Sequence, residues 1–442
     1  MMWHRQSTSG MKLVDHRRRH VKTVKAVLMI GLVPGTQMMT RSASSLLLPE
    51  IQRHFAVSDT QIGHLQGTFD LFLASFLALP CAFFVDRYGS RCVLKNLILI
   101  WVISHLSCGL SASFSQFCFF KIIIAATEIG MVPVIYAMTP QYAGAINLML
   151  TNAAVGALIT LSYGAGYYFS GALFTVATLF APARSDGLWR GVEAVSALLG
   201  LLLLLAVIVL PRPGIVSTGV RLTRRFIPGC TMRRDLKRRF LTLALLAGPN
   251  AFAAQGTLSM MTLALHRRFE LDLSSLGHHL GAMSWLIGFL GFPVAAAVDS
   301  VARHVFRADI RLEIMLICLT MALPFIGAAS IVSNAHLDIA MVGAFLFFSG
   351  VANVPIPTVI QEVTPTSLHG RVFAIWSLFM SAFGALGAVT MGVISDRFLS
   401  GKLLLSISIL ATSALALVVG PMALYLLFGK TRVTASLTSY EQ

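Results

Sequence analysis

Four ionisable residues stand inside stretches too apolar to solvate them: Arg41, Asp70, Lys121 and Glu128. A charge in such surroundings is costly and is kept where it faces a partner or a polar cavity. Arg41 and Lys121 are cations suited to an anionic group such as a carboxylate or phosphate, which Arg can grip bidentately. Asp70 and Glu128 are acids that could take up a proton. Competition between a proton and an anion for the same cations would couple the movement of both. Lys121 and Glu128 lie seven residues apart, so on a helix they share a face about two turns apart. That is too far for an ideal contact, and each is expected to reach another partner. Gln37 in the first apolar stretch, and Asn250, Gln255 and Asn353 further along, are candidate neutral hydrogen-bonding groups for substrate. The competing reading is that the charges pair to hold helices together and that the amides serve packing.

The elements that must position these residues are membrane helices. Hydrophobic residues make up 56% of the chain and charged residues 12%, about half the share in a soluble domain; mean hydropathy is +0.78. Twelve apolar segments approach the ~20 residues needed to cross a bilayer. They lie near 25–48, 60–85, 92–113, 116–138, 146–171, 189–210, 240–265, 275–298, 310–332, 337–360, 371–395 and 402–428. The expected fold is an all-α membrane protein of twelve spans in two six-helix halves.

An internal repeat marks the halves. Residues 55–63 read F-A-V-S-D-T-Q-I-G and residues 269–277 read F-E-L-D-L-S-S-L-G. Each runs into a Gly-x-x-x-Gly, Gly63/Gly67 and Gly277/Gly281, at an offset of 214 residues. These glycines are expected to allow close helix packing. Nearly the same offset relates Pro34 to Pro249 and Asp86 to Asp299, and Thr139-Pro140 echoes Thr364-Pro365. Duplicated bundles with a site between the halves are how secondary transporters are built.

The net charge of +16 reflects topology rather than nucleic-acid binding. With both termini cytoplasmic, 25 of the 34 lysines and arginines fall on the cytoplasmic side, as the positive-inside rule demands. The expected organisation is a basic tail (1–24), a first bundle (25–210), a basic linker (211–239), a second bundle (240–428) and a C-terminal tail (429–442). The expected location is the plasma membrane, or the inner membrane of a bacterium, as a monomer in the bilayer. The six cysteines show neither C-x-x-C nor metal-ligand spacing, and neither a metal nor a cofactor is expected.

The loop after the second segment reads Ala82-Phe83-Phe84-Val85-Asp86-Arg87-Tyr88-Gly89-Ser90-Arg91. It resembles the G-x-L-x-D-R-x-G-R-R loop of the major facilitator superfamily, with Asp86, Arg87, Gly89 and Arg91 matching. Ala82, Phe84 and Ser90 depart from the pattern. The resemblance implies that these residues, with Asp299 and Arg371 in the second half, gate the conformational change. S-L-L-L-P-E-I-Q (45–52), S-D-T-Q-I-G-H-L-Q-G (58–67) and L-W-R (188–190) resemble the spinster-like and the anion:cation symporter branches. Those branches carry an Asp-Arg pair in helix 1 and R-x-x-x-G-x-G-E in helix 4. Here the matching positions are Thr40-Arg41 and Lys121 to Glu128, and Asp70 is the candidate replacement for the acid absent at Thr40.

The leading expectation is therefore a proton-coupled secondary transporter, not an enzyme, for a carboxylate, sugar acid or lysolipid, working by alternating access. A non-transporting sensor on the same fold is the alternative. A membrane-embedded enzyme is a weaker one: no H-E-x-x-H occurs, and His278 and His279 point about 100° apart on a helix. No Walker-type phosphate loop is present for a nucleotide-driven pump.

Overall fold

The computed structural model describes residues 31–143, 148–180, 187–209, 234–301, 311–329, 331–354, 369–398 and 404–428, with Ile356 and Ile360 between them. The expected tails and most of the expected linker lie outside these residues. The described residues form twelve long helices and no strand. The first, α1, spans 31–55 with a turn at Leu47. Its second stretch, Leu48–Phe55, has a proline near its start, where the missing N–H costs nothing. The others are α2 (Asp59–Tyr88), α3 (Ser90–Gly109), α4 (Phe114–Ala143), α5 (Leu148–Phe180) and α6 (Leu188–Val209), then α7 (Arg234–Phe269), α8 (Leu273–Val301), α9 (Arg311–Ala329), α10 (Ala335–Asn353), α11 (His369–Phe398) and α12 (Leu404–Phe428). Six of the described helices contain spans long and apolar enough to cross a membrane. The fifth apolar segment runs further than its expected end and stays helical to Phe180.

The polarity of the bundle is that of a protein solvated by lipid. On α3 and α6, Ile100, Ile103, Leu198, Leu202 and Leu205 face outward, whereas Trp101, His105 and Glu193 are buried. Backbone groups close within helices, as hydrocarbon requires. The repeat is also visible in the helix starts. Ser58 caps α2 by accepting from Gln61 N, and Gln61 returns the bond to Ser58 N. At the equivalent point Asp272 accepts from Ser275 N at the start of α8. Both arrangements satisfy donors that a helix N-terminus leaves open.

The paired glycine motifs form the two seams between the halves. A Cβ on Gly67 of α2 would lie 2.6 Å from the Ala385 carbonyl oxygen of α11, and one on Gly63 would lie 2.9 Å from that of Ala388. On the other side, Gly277 and Gly281 of α8 lie against Tyr167 and Gly164 of α5 with the same closeness, 2.7 and 2.9 Å. The packing role expected of these glycines is thus the one they have, since only a missing side chain lets the backbones approach so far. Both seams run toward the end of the bundle that carries the 56–58 and 270–272 turns.

Within the first half α3 and α6 cap each other. Arg91, at the start of α3, donates to the carbonyls of Val207 and Ile208 at the end of α6, at 3.1 and 3.0 Å. Arg190, at the start of α6, donates to Gly109 O at the end of α3 at 2.7 Å. A cation on the open carbonyls of a helix C-terminus is favourable. Two reciprocal caps fix the register of this antiparallel pair, and that register sets the site.

Candidate substrate and proton site

Arg41 of α1 is the centre of the first cluster. Its guanidinium donates to the Asp70 carboxylate of α2 and lies 3.9 Å from Glu128 Oε2 of α4. Glu128 also accepts from the indole N–H of Trp101 on α3 at 3.1 Å. Asp70 sits in a π-helical stretch of α2, His64–Leu73. The i→i+5 winding changes which side chains share a face, so Gly67 meets α11 while Asp70 meets α1. Trp101 is placed by Gly200 of α6, whose absent Cβ would fall 2.6 Å from the indole ring.

Lys121 of α4 belongs to a second cluster. Its ammonium donates to Glu193 Oε1 of α6 at 2.8 Å and to Ser44 Oγ of α1 at 3.0 Å. Glu193 Oε2 pairs with His105 Nδ1 of α3 at 2.6 Å. The side chains of Glu193 and His105 are each only 2% exposed, whereas those of Arg41 and Asp70 are 24% and 15% exposed. The Arg41–Asp70 pair is therefore the accessible edge and the Glu193–His105 pair the sealed one. A cavity of about 30 Å³, lined by Thr40, Arg41, Asp70, His105, Lys121 and Glu128 among others, joins the two clusters. That enclosed volume accommodates one or two waters, and the cavity opens on the side of Arg41 and Asp70.

The remaining sequence candidates lie elsewhere. Gln37 is buried and its amide meets Met131 Sδ at 2.8 Å. Asn250 donates to Ser349 O and to Asn353 Oδ1, both at 3.2 Å, so these two amides form one α7–α10 contact in the second half. Gln255 is exposed beside Gly384 of α11. In the resembling loop, Gly89 has φ +81°, a conformation that glycine adopts without strain, and it turns the chain between α2 and α3. Arg87 lies over the Tyr88 ring at 5.5 Å. Arg91 makes the α6 contacts described above, within its own half. The side chains of Asp86, Asp299 and Arg371 lie outside the described residues.

Sequence reading left out Glu193 and His105. The signal was present: Glu193 is the only carboxylate in α6, and His105 the only imidazole in α3. Each lies about five residues from its helix end, where a polar side chain reads as interfacial.

The halves are also tied across the seam end. Asp59 at the start of α2 binds Arg267 of α7 through both oxygens, at 2.5 and 2.6 Å. Its Oδ1 also accepts from Gln52 Nε2 and its Oδ2 from Ser395 Oγ of α11, both at 2.8 Å. Asp396 of α11 accepts from Thr60 N at 2.7 Å and Thr60 Oγ1 at 2.5 Å. A carboxylate of the second half thus sits on the N-terminus of a first-half helix, where the dipole favours it.

The sequence profile of the Major Facilitator Superfamily matches residues 30–388. The chain belongs to this superfamily. As a superfamily member it is a transporter and an integral membrane protein, not an enzyme. It is 25% identical over 403 residues to an "MFS-type efflux pump" of Mycolicibacterium smegmatis, covering 86% of this chain and 87% of that protein. It is 24% identical to the "Multidrug resistance protein Stp" of Mycobacterium tuberculosis, covering 81% and 73%. Its fold matches a bacterial homologue of the human lysosomal transporter Spinster, in an inward-facing and occupied conformation, with a TM-score of 0.74 at 18% identity over 94% of this chain and 98% of the other. It also matches the human organic anion transporter MFSD10, with a TM-score of 0.57 at 15% identity over 90% and 99%.

Proposed function

We propose that this transporter carries a small or amphipathic organic anion (a carboxylate, sugar acid or lysolipid) together with protons. The observation behind this reading is Arg41 set between two carboxylates, Asp70 and Glu128, on a cavity wall. Protonating Asp70 or Glu128 withdraws a negative partner from the guanidinium and leaves it to an incoming anion. Proton and anion then occupy the site together. Lys121 supplies the second cation, and Gln37, Asn250, Gln255 and Asn353 are the neutral groups available once helices rearrange.

Alternating access would exchange the seam end for the opposite one. With both termini cytoplasmic, as the charge asymmetry argues, the seam end is the outer face. Release of Asp59 and Asp396 from the other half would then open the site outward. Asp86, Arg87, Gly89, Arg91, Asp299 and Arg371 lie at the opposite end, where gating contacts would form. The protein acts as a monomer in the plasma membrane.

A second reading is export of an amphipathic cation in exchange for protons. A cation is favoured by the charge count of the two clusters, in which Asp70, Glu128 and Glu193 outnumber Arg41 and Lys121, and export by the relative named as an efflux pump. The test is flux into proteoliposomes loaded with a pH dye and offered a panel of organic anions, lysolipids and lipophilic cations. Anion-dependent proton uptake lost in Arg41→Ala supports the first reading. Proton exchange for cations that survives Arg41→Ala supports the second. Ligand binding with no flux under any gradient would point to a sensor.

A further inference from the structure

We propose that His105 and Glu193 form a second proton site, which controls Lys121 as Asp70 and Glu128 control Arg41. The inference rests on the anion–proton reading given above. Both Glu193 oxygens are engaged: Oε1 by Lys121 and Ser44, Oε2 by His105. His105 Nε2 is buried and has no hydrogen-bond partner among the described residues, although the imidazole lines the cavity. With Nδ1–H given to Glu193, Nε2 is a bare acceptor. A buried acceptor left unpaired is costly, and this one lines a cavity with room for a water that can deliver a proton to it.

The step balances with one proton. A proton taken up at Nε2 makes His105 an imidazolium that keeps its Nδ1–H on Glu193. The ring then answers the Glu193 charge, and the carboxylate's hold on Lys121 weakens. The charges that act on His105 oppose one another: Glu193 of α6 favours a proton on the ring and Lys121 of α4 disfavours it, with Trp101 against the ring from α3 itself. The Trp101 ring stands edge-on to His105 at 4.5 Å while its N–H serves Glu128. One indole therefore separates the two proton sites. Each cation of the cavity has its own acid, so a substrate that engages both cations would travel with a proton from each site.

The test begins without substrate. An imidazolium against an indole quenches its fluorescence, so the purified transporter in liposomes should lose tryptophan emission as the pH falls. That change should vanish in His105→Gln, which keeps an N–H for Glu193, and in Trp101→Phe. A titration unchanged in His105→Gln, or absent from the wild type, overturns the proposal. The second arm counts protons per transported anion. His105→Gln should lower the count by one while anion exchange continues. If the count stays the same while anion and proton still move together, the second proton site is wrong and the anion–proton reading stands. If the fluorescence arm behaves as expected but no anion moves, the proton site stands and that reading falls.

Discussion

Asp59→Asn should open the seam between the halves without unfolding either. Three hydrogen bonds to Asp59 cross from the second half: two from Arg267 and one from Ser395. An amide keeps the shape but removes the charge and turns one acceptor into a donor facing Arg267, Gln52 or Ser395. Breaking a fully buried ion pair costs about 3–5 kcal/mol. The Asp59 side chain is 6% exposed but that of Arg267 is 34% exposed, so screening reduces the figure to about 2 kcal/mol. Since 1.4 kcal/mol is tenfold, the ratio of seam-open to seam-closed molecules should rise about 30-fold. A seam-open population of about 1% would become about a quarter. The assay is a spin-label distance between positions 53 and 397, both exposed at this end. A longer-distance population should appear in Asp59→Asn and also in Arg267→Gln, with an unchanged melting profile for the helices. If both variants keep the wild-type distance distribution, the ion pair does not hold the seam.

Other substitutions probe the site's supports. Gly200→Val drives a side chain into the Trp101 ring, and the overpacking should cost about 1–3 kcal/mol, read as a lower melting temperature. Glu193→Gln leaves Lys121 facing a neutral amide and should destabilise the first half by about 3 kcal/mol; a melting temperature within a degree of wild type would contradict the geometry. Gly67→Leu should block closure of the α2–α11 seam and leave the protein seam-open by the same spin-label distance. Glu128→Gln should transport with a weaker pH dependence than wild type, measured as uptake across a pH series, and an unchanged profile would exclude Glu128 from proton coupling.

Much of this was legible because lipid imposes strong rules on sequence. Runs of apolar residues, the 214-residue repeat and the glycine pairs specify helices, halves and points of close packing before any side chain is placed, whereas the partners of those glycines across the two halves emerge only in the fold. Arg41, Asp70, Lys121 and Glu128 stood out for the same reason, as charges where charges are expensive. Their partners were harder to read. Lys121 pairs with Glu193 across 72 positions, and Asp59 with Arg267 across 208, and no local pattern encodes such pairings. The π-helical stretch that turns Asp70 toward Arg41 has no composition of its own; it is set by what α2 must pack against. The L-W-R run, a family likeness in sequence, has structural tasks in the fold: Trp189 is buried among Phe55 and Phe117, and Arg190 caps α3.

In the proposed mechanism Asp70 and Glu128 hold Arg41 until protons release it. The most direct measurement compares wild type with the double variant Asp70→Asn/Glu128→Gln in proteoliposomes carrying a pH dye and a labelled anion identified in the panel. The double variant should exchange anion for anion but move fewer protons per anion and build a smaller anion gradient from a pH gradient than wild type, while Arg41→Ala should neither exchange nor accumulate. Full proton-driven accumulation in the double variant, or wild-type anion exchange in Arg41→Ala, would contradict the account.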